Sequence, residues 1–251
     1  MSGHSKWSTI KRQKGANDAK RGQAFTKLSK AISMAIRESG GNTDPDTNFR
    51  LRLAIDAARG ANMPKDTIER AMVRATGKAE AEMFEVVYEG FGPSGVSVIV
   101  EAITDNKQRT TPEIKTLFDK SGGTLGVQGS VSYQFVQKGQ ITVSKNGKSL
   151  DEIFLLAADD GAEDVEDGGE AEVHIYTLAD GLSAMRKALT EQGLVATGAE
   201  IIYRPIVYKQ ISGSEQVEKV VSFMEKLEDH DDVQKVYANF EIVENSLGVS
   251  R

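Results

Sequence analysis

The stretch GQITVSKNGKSLDEIFLLAADDGAEDVEDGGEAEVHIYTLADGLSAMRKALTEQGLVATGAEIIYRP, residues 139–205, decides the fold of this chain. Its apolar and turn patterns predict, in order, strand QITVS, helix SLDEIFLLAADDG, a short strand at Glu163–Val165, strand AEVHIYTL, helix GLSAMRKALTEQG and strand GAEIIYRPI. The order β-α-β-β-α-β is that of the split, ferredoxin-like motif. We therefore expect residues 137–205 to form an acidic ferredoxin-like domain.

The segments on either side of this stretch look like two halves of one further α/β pattern. Before it, FEVVYEG and VSVIVEAIT predict strands joined by FGPSG as a hairpin, followed by helix TTPEIKTLFDKSG, with Pro112 in its first turn, and strand SVSYQFV. After it come helix GSEQVEKVVSFMEKLEDH and strand VQKVYANFEIV, which would complete the earlier half. We expect a discontinuous α/β domain, residues 80–136 plus 206–251, with the ferredoxin-like domain inserted into it.

Residues 1–79 have a helical pattern instead. A helix should run from about Ala16 to Arg37 and a second from about Asn48 to Arg59, and a third should start near Pro64. The apolar face of the first helix consists of Phe25, Leu28, Ile32, Ala35 and Ile36. The predicted fold class is therefore α+β, with an N-terminal three-helix basic domain and two α/β domains, the third ferredoxin-like and inserted into the second.

Charge is distributed very unevenly along the chain. The 251 residues have a net charge of -6, but residues 1–78 hold 16 Lys and Arg against 7 Asp and Glu, a net charge of +9. Residues 79–251 therefore have a net charge of -15. Such asymmetry indicates a polyanionic partner for the basic part only. The acidic stretch at residues 159–172 is either an ordinary solvated surface or a surface that nucleic acid repels.

The composition excludes several classes of protein. There is no cysteine, which excludes disulfides, thiolate zinc sites, iron–sulfur clusters and a cysteine nucleophile. No apolar run approaches the roughly 18 residues of a membrane span, and the N-terminus lacks the apolar stretch of a secretory signal. We expect a cytoplasmic protein with no membrane partner.

No motif indicates catalysis, a metal or a cofactor. The sequence GFGPSG at residues 90–95 matches the glycine pattern of a dinucleotide site, but a strand follows it where such a site requires a helix. The three histidines, His4, His174 and His230, are far apart, and His230 suits the end of a helix better than a metal site. We expect a non-enzyme with no cofactor and no small-molecule substrate.

The basic N-terminal segment is the best candidate for a binding site. Lysines on a solvated helix face are common and need no partner. Here, however, the basic residues continue into the segment before the helix, and few acids accompany them. Trp7 and His4 lie among these basic residues, and both side chains can stack on bases. The loop ITDNKQRTTPE, residues 103–113, suits either a binding site or a helix N-terminus capped by Thr110 or Thr111. The predicted nucleic-acid-binding residues are His4, Ser5, Lys6, Trp7, Lys11, Arg12, Lys14, Lys20, Arg21, Lys27, Lys30, Asn106, Lys107 and Arg109.

Several segments resemble one known family along nearly the whole chain. They are GHSKW at residues 3–7, DAKRGQAFTKL at 18–28, YEGFGPSG at 88–95, DNKQRT at 105–110 and SGGTLGVQGSVSYQF at 121–135. They are similar to the YebC/PmpR family, to which the mitochondrial translational activators of cytochrome oxidase also belong. The resemblance implies three domains and a cytoplasmic non-enzyme that acts on gene expression.

The resemblance leaves two targets open. Bacterial members are described mostly as DNA-binding transcriptional regulators, whereas the mitochondrial members, and a newer view of the bacterial ones, are ribosome-associated translation factors that relieve stalling, for example at proline stretches. DNA and ribosomal RNA present the same phosphate charge to a lysine. A basic arm with Trp7 and His4 suits irregular RNA better than a major groove, so both interpretations remain, and the oligomeric state is open.

Overall fold

The computed structural model describes residues 18–77, 82–169 and 171–243, with side chains from residue 21 onward. The predictions for the basic arm at residues 1–15 lie outside these ranges. The described residues form two compact units, one of residues 18–77 and 137–202, the other of residues 82–136 and 203–243.

Three helices open the first unit: α1 (Asp18–Glu38), α2 (Phe49–Gly60) and α3 (Lys65–Ala75). Their shared core consists of Ile32, Ala35, Ile36, Leu51, Ile55, Ala58, Met63, Ile68, Ala71 and Ala75. Asn48 fixes the start of α2, because its side-chain oxygen accepts a hydrogen bond from Leu51 N at 3.0 Å while its amide donates to Ala35 O at 3.0 Å. The three-helix domain predicted from the sequence is therefore present. Its helices depend on packing against one another for their stability.

The ferredoxin-like domain completes the first unit. Its elements are β4 (Phe135–Ser144), α5 (Leu150–Asp159), β5 (Asp164–Asp167), β6 (Glu172–Leu178), α6 (Leu182–Glu191) and β7 (Ala196–Pro205). The sheet order is β5-β6-β4-β7, and β6 pairs antiparallel with both β4 and β5. Numbered within the domain, the sheet order is 2-3-1-4, and the order of elements along the chain is the predicted β-α-β-β-α-β. The short strand lies one residue later than expected and is one residue longer.

Within the first unit, the helical and ferredoxin-like domains are packed together. Phe49 and Leu53 of α2 lie against the core of the ferredoxin-like domain. Arg186 of α6 forms an ion pair with Asp56 at 2.7 Å, between two largely shielded side chains. The two domains therefore share apolar surface as well as charge.

The second unit is the discontinuous α/β domain. Its elements are β1 (Phe84–Phe91), β2 (Ser97–Thr104), α4 (Lys107–Lys120), β3 (Thr124–Leu125), β8 (Lys209–Ile211), α7 (Ser214–Glu228), β9 (Val233–Ala238) and β10 (Phe240–Ile242). One sheet has the order β3-β1-β2-β9, and β8 pairs in parallel with β10. A single core joins both halves of the sequence, for example Ile114 and Phe118 with Phe223 and Leu227. The chain thus leaves this domain through β4 and returns through β7. The boundaries at residues 136/137 and 205/206 are still predictions from the sequence.

The glycine motif at residues 90–95 forms the predicted hairpin between β1 and β2. A Cβ on Gly90 would lie 2.6 Å from the carbonyl oxygen of Thr124, and a Cβ on Gly92 would lie 2.6 Å from Cε1 of Phe223. These separations are shorter than packed atoms tolerate. The glycines are therefore required for close packing of the hairpin.

The start of α4 corrects one prediction. The helix begins at Lys107, so Pro112 is its sixth residue and lies outside the first turn. The cap is Asn106, whose side-chain oxygen accepts a hydrogen bond from Arg109 N at 3.1 Å. Thr110, one of the two predicted caps, is instead fully buried and donates to Asp232 at 2.6 Å. The prediction placed the start too late because Pro112 is a stronger sequence signal than Asn106.

Two predicted strands are also corrected. Over SVSYQFV, residues 132–134 form a 3-10 turn, and a continuous strand then runs from Phe135 to Ser144. The buried carboxylate of Glu89 accepts hydrogen bonds from Val131 N and Ser132 N, and so holds the backbone before this strand. The last predicted strand is interrupted at Asn239, which exchanges hydrogen bonds with Ser97: Ser97 N donates to the Asn239 side chain at 2.8 Å. In both places a side chain replaces the strand's regular backbone pairing.

Candidate nucleic-acid interface

The predicted site residues fall into three groups in the structure. His4, Ser5, Lys6, Trp7, Lys11, Arg12 and Lys14 lie outside the described residues, as does the side chain of Lys20. Arg21, Lys27 and Lys30 lie on α1 of the first unit. Asn106, Lys107 and Arg109 lie at the start of α4 in the second unit.

Helix α1 has a basic face opposite a buried one. Ile32 and Ile36 are fully buried, whereas Lys27 and Lys30, on the opposite side by helical spacing, are half-buried. Arg21 is exposed, but its helical position is on the side of Ile32. The helix has acids only at its two ends, Asp18 and Glu38, so Lys27 and Lys30 have no acid one turn away along the helix. Arg21, Lys27 and Lys30 each interact with another group of the chain. These interactions restrain the three side chains.

Helix α3 adds basic residues that the sequence analysis did not single out. Arg70, Val73 and Arg74 are all exposed, and Val73 is 71% exposed. Arg70 donates to the backbone oxygen of Asp66 at 3.0 Å, and Arg74 has no ion pair with any residue that the structure describes. Their exposure could have been predicted from the sequence, because helical spacing puts Arg70 and Arg74 on the side of α3 away from the buried Ile68. This surface is a second candidate for phosphate contact in the same domain.

The first turn of α3 is less favourable to a polyanion. It contains Asp66, and Glu69 follows one turn after Lys65, with which it pairs at 3.6 Å. A recognition helix contacts base edges mainly through its N-terminal residues. Acids at that end would be repelled by the phosphates that line a groove.

Arg109, in the first turn of α4, is held by two acids. The Arg109 guanidinium lies 2.7 Å from Asp232 Oδ2 and 3.1 Å from Asp105 Oδ1. Its hydrogen bond to Asp232, together with the negative charge of that residue, raises the pKa of Arg109. Asp232 is almost fully buried, so this pair ties α4 to the segment before β9. Charges matched in this way leave little positive potential for phosphate.

Asn106 and Lys107, the other two residues of this group, differ in how well they could contact a phosphate. Asn106 is the helix cap, so the loop is a helix N-terminus, but the cap is not Thr110 or Thr111 as expected. Lys107 is exposed, and its ammonium group lies 4.4 Å from the ring centroid of Phe84. A cation over an aromatic ring keeps its charge, so Lys107 is the member of this group best suited to a phosphate.

A buried carboxylate organises the glycine-rich loop of the second unit. Glu89 is 5% exposed, and its two oxygens accept hydrogen bonds from the backbone N–H groups of Gly129, Val131 and Ser132, each at 2.8 Å. Burial raises the pKa of Glu89, but the hydrogen bonds together lower it more, so the pKa lies below its ordinary value. Glu89 is thus an ionised anchor for this loop.

An open cleft lies beside this anchor. Its volume is about 450 Å³, and its lining includes Val87, Ile99, Gln128 and Tyr203. At the edge of this cleft, the oxygens of Glu89 accept three backbone hydrogen bonds, so this carboxylate has a structural role there.

The two described histidines have hydrogen-bond partners. Nδ1 of His174 lies 3.1 Å from Thr142 Oγ1, and Nε2 of His230 lies 3.1 Å from Glu113 Oε2. Across residues 18–77, 82–169 and 171–243, no group of three His, Asp or Glu side chains is placed to bind a metal ion. None of the helices in those ranges is both long and apolar enough to span a bilayer.

Comparison with known proteins assigns both parts of the chain to one family. Residues 5–78 match the family model described as the TACO1/YebC protein N-terminal domain, and residues 83–240 match the one described as the TACO1/YebC second and third domain. A "Probable transcriptional regulatory protein" of Chloroflexus aggregans is 49% identical over 245 residues, 96% of either chain. One from Dictyoglomus turgidum is 47% identical over 249 residues, 98% of either chain.

A solved structure shows the same fold. The crystal structure of a conserved hypothetical protein from Aquifex aeolicus superimposes with a TM-score of 0.83 at 44% sequence identity. The alignment covers 92% of this chain and 94% of that one.

Proposed function

Because the chain belongs to the TACO1/YebC family, we propose that it is a nucleic-acid-binding regulator of gene expression whose N-terminal helical domain makes the main contacts. The names of its relatives support a regulatory role. The resemblance of GHSKW and DAKRGQAFTKL to the YebC/PmpR family places the most distinctive motifs in this same domain.

The single observation that supports the proposal is the separation of charge. Residues 1–78 have a net charge of +9, and the described part of that domain, residues 18–77, still has +4. The ferredoxin-like domain, residues 137–205, has a net charge of -7. A polyanion is attracted to the first domain and repelled by the other, so the charge pattern also orients the molecule on its target.

The mechanism follows from the chemistry of phosphate contacts. Lysine and arginine side chains displace condensed counterions from the nucleic acid, which gives affinity without sequence preference. The predicted contributors are Lys6, Lys11, Arg12, Lys14, Lys20, Arg21, Lys27 and Lys30, with Arg70 and Arg74 added by the structure. His4 and Trp7 would stack on unpaired bases, and Lys107 would contribute from the second unit.

Duplex DNA is the target that the names of the relatives favour, and transcription would then be the regulated step. The acids at the start of α3, Asp66 and Glu69, favour the alternative of ribosomal or transfer RNA. In that alternative the protein is a ribosome-associated translation factor that relieves stalling, for example at proline stretches. Either way we propose a cytoplasmic protein that acts without catalysis and without a cofactor.

The test is charge reversal in the full-length protein. K20E/R21E/K27E should strongly weaken binding to duplex DNA, structured RNA and ribosomes, since it replaces attraction at three phosphates by repulsion. The matched control is K115E/K120E/K226E, which reverses three lysines of the second unit that make no ion pair with a described residue. Circular dichroism checks that both variants fold. If the control loses affinity as much as the α1 variant, the N-terminal domain is not the binding domain.

The target is decided by a second comparison. The transcription role predicts discrete DNA sites protected in a footprint, whereas the translation role predicts co-sedimentation with ribosomes that K20E/R21E/K27E removes. Crosslinking in cells, followed by sequencing of both DNA and RNA, would rank the two. A protein that protects no DNA and sediments without ribosomes contradicts the proposal.

A further inference from the structure

Helix α5 of the ferredoxin-like domain has apolar residues on two faces. On the inner face, Ile153 and Ala157 are completely buried in the domain core. On the outer face, Phe154 is 48% exposed and Leu155 is 66% exposed. A helix that only covers a sheet needs one apolar face, so the second apolar face has no role within this domain.

The exposed pair belongs to a regular surface row. Asp151, Phe154, Leu155 and Ala158 follow the spacing i, i+3, i+4, i+7, which places them along one side of the helix, and all four are exposed. A single exposed apolar residue is ordinary on a protein surface. Two adjacent large ones at the middle of one helix face are typical of a surface that contacts a partner.

The surroundings of this row are acidic. Asp151 precedes the apolar pair and Asp159 follows it, and neither forms an ion pair with any residue that the structure describes. Glu152 is instead held in the capping box with Ser149, and Asp160 accepts a hydrogen bond from Gln192 at 2.6 Å. Because the whole domain has a net charge of -7, a nucleic acid would be repelled from this face.

We propose that the outer face of α5 binds a basic amphipathic helix of another protein. The apolar side of that helix would cover Phe154 and Leu155, and its lysines or arginines would reach Asp151 and Asp159. Charge complementarity selects this partner, since an apolar helix without cations would leave the two carboxylates unpaired. The inference goes beyond nucleic-acid binding, because it gives the acidic domain a protein partner while the basic domain holds nucleic acid.

The probe is a fluorescent peptide of about 18 residues, five helical turns, with leucines on one face and lysines on the other. Its binding to the full-length protein is measured by fluorescence anisotropy. F154S/L155S should weaken binding at least about ten-fold, because the central apolar contacts of an interface contribute most of its affinity. D151N/D159N should weaken binding and reduce its dependence on salt. Both substitutions are on exposed residues, so the fold should remain intact, which circular dichroism checks.

The matched control is L178S/V195S, which removes two apolar side chains of the same domain that are 55% and 58% exposed. It should bind the peptide as the wild type does. A scrambled peptide of the same composition, with no apolar face, should bind at least about ten-fold more weakly. Hydrogen exchange of the wild-type protein should show protection by the amphipathic peptide over residues 150–159.

Four results would overturn the proposal. They are no binding of the amphipathic peptide at about 100 µM, equal binding by F154S/L155S, equal binding of the scrambled peptide, and protection confined to other segments.

A wild-type dimer that F154S/L155S dissociates would show instead that a second copy covers this face. Tighter peptide binding after neutralising Lys6, Lys11, Arg12 and Lys14 would show that the chain's own N-terminal segment covers it. Since F154S/L155S should bind nucleic acid normally, failure here is distinct from failure of the proposed function.

Discussion

The carboxylate of Glu89 should stabilise the second unit more than an ordinary surface acid does, and Glu89→Gln tests this. In the wild type, Oε1 accepts from Gly129 N, and Oε2 accepts from both Val131 N and Ser132 N. Glutamine has the same shape but only one acceptor oxygen. Its amide nitrogen must therefore face at least one backbone N–H donor, at a position that is 5% exposed.

The expected magnitude follows from these three bonds. The donor that faces the amide nitrogen loses its partner, at a cost of about 1–3 kcal/mol, and the two remaining hydrogen bonds lose their charge, at ~1 kcal/mol each. E89Q should therefore lower the free energy of unfolding by about 3–5 kcal/mol at neutral pH. Exchange of the amide protons of residues 129–132 should become faster.

The effect should depend on pH in a defined direction. Because the folded pKa of Glu89 is lower than its ordinary value of 4.5, its stabilisation is complete above that value and is lost as the pH falls through the folded pKa. The difference between wild type and E89Q should be constant above about pH 5.5 and should shrink below about pH 4.5. In the variant this contribution is absent at every pH.

The assay is urea unfolding followed by circular dichroism, at several pH values. The control is Glu218→Gln, an exposed acid on α7, which should change the free energy of unfolding by less than about 0.5 kcal/mol. A difference between wild type and E89Q below about 0.5 kcal/mol at neutral pH would refute the anchoring role. A large difference that does not shrink in acid would refute the ionised state.

Three further substitutions have defined effects on the free energy of unfolding, measured in the same way. Asp232→Asn should cost about 2–4 kcal/mol, because it weakens the hydrogen bonds of a buried carboxylate. Asp105→Asn, on the exposed side of Arg109, should cost less than about 1 kcal/mol. Equal costs would show that burial of Asp232 does not strengthen its contribution. Gly92→Ala should cost about 1–3 kcal/mol, since its Cβ would lie 2.6 Å from a ring atom of Phe223, and a neutral result would show that the ring can move. Gly22→Ala should stabilise by about 0.5–1 kcal/mol, since no atom lies within 4 Å of its Cβ and alanine favours helix; a loss of stability would show a contact at α1 that this account lacks.

Periodic segments were predictable from the sequence because their signals are local. The apolar row of α1 ending at Ile36 and the strand and helix order of residues 139–205 each repeat a pattern several times, so one exception does not hide it. The discontinuous domain was predictable for a related reason. Each half lacks elements that the other half has, and a sheet needs both to bury its faces.

The elements that were missed depend on contacts between distant residues. Nothing near Ser132 in the sequence shows that Glu89, more than 40 positions earlier, will hold its backbone N–H. The interruption at Asn239 likewise requires Ser97. The start of α4 at Asn106 was missed because Thr110, which is also a favourable cap by residue type, is instead buried and bonded to Asp232.

The candidate interface was only partly predictable. Charge counts identify the basic domain, because electrostatic attraction depends on totals more than on precise positions. They do not show that the acids around Arg109 neutralise it, nor that Arg70 and Arg74 share an exposed face of α3. Those facts need the fold.

The dependence of affinity on salt concentration shows directly whether the basic N-terminal domain neutralises phosphates. With the full-length protein and a structured RNA or duplex DNA, a plot of log K against log salt concentration should have a slope of about -5 to -9, equivalent to six to ten phosphates neutralised. Affinity would then fall roughly 10³–10⁵-fold between about 50 and 200 mM salt. K20E/R21E/K27E should weaken binding and make the slope shallower by about 3, roughly one unit for each phosphate contact removed. A wild-type slope near zero on both nucleic acids and on ribosomes would contradict the account.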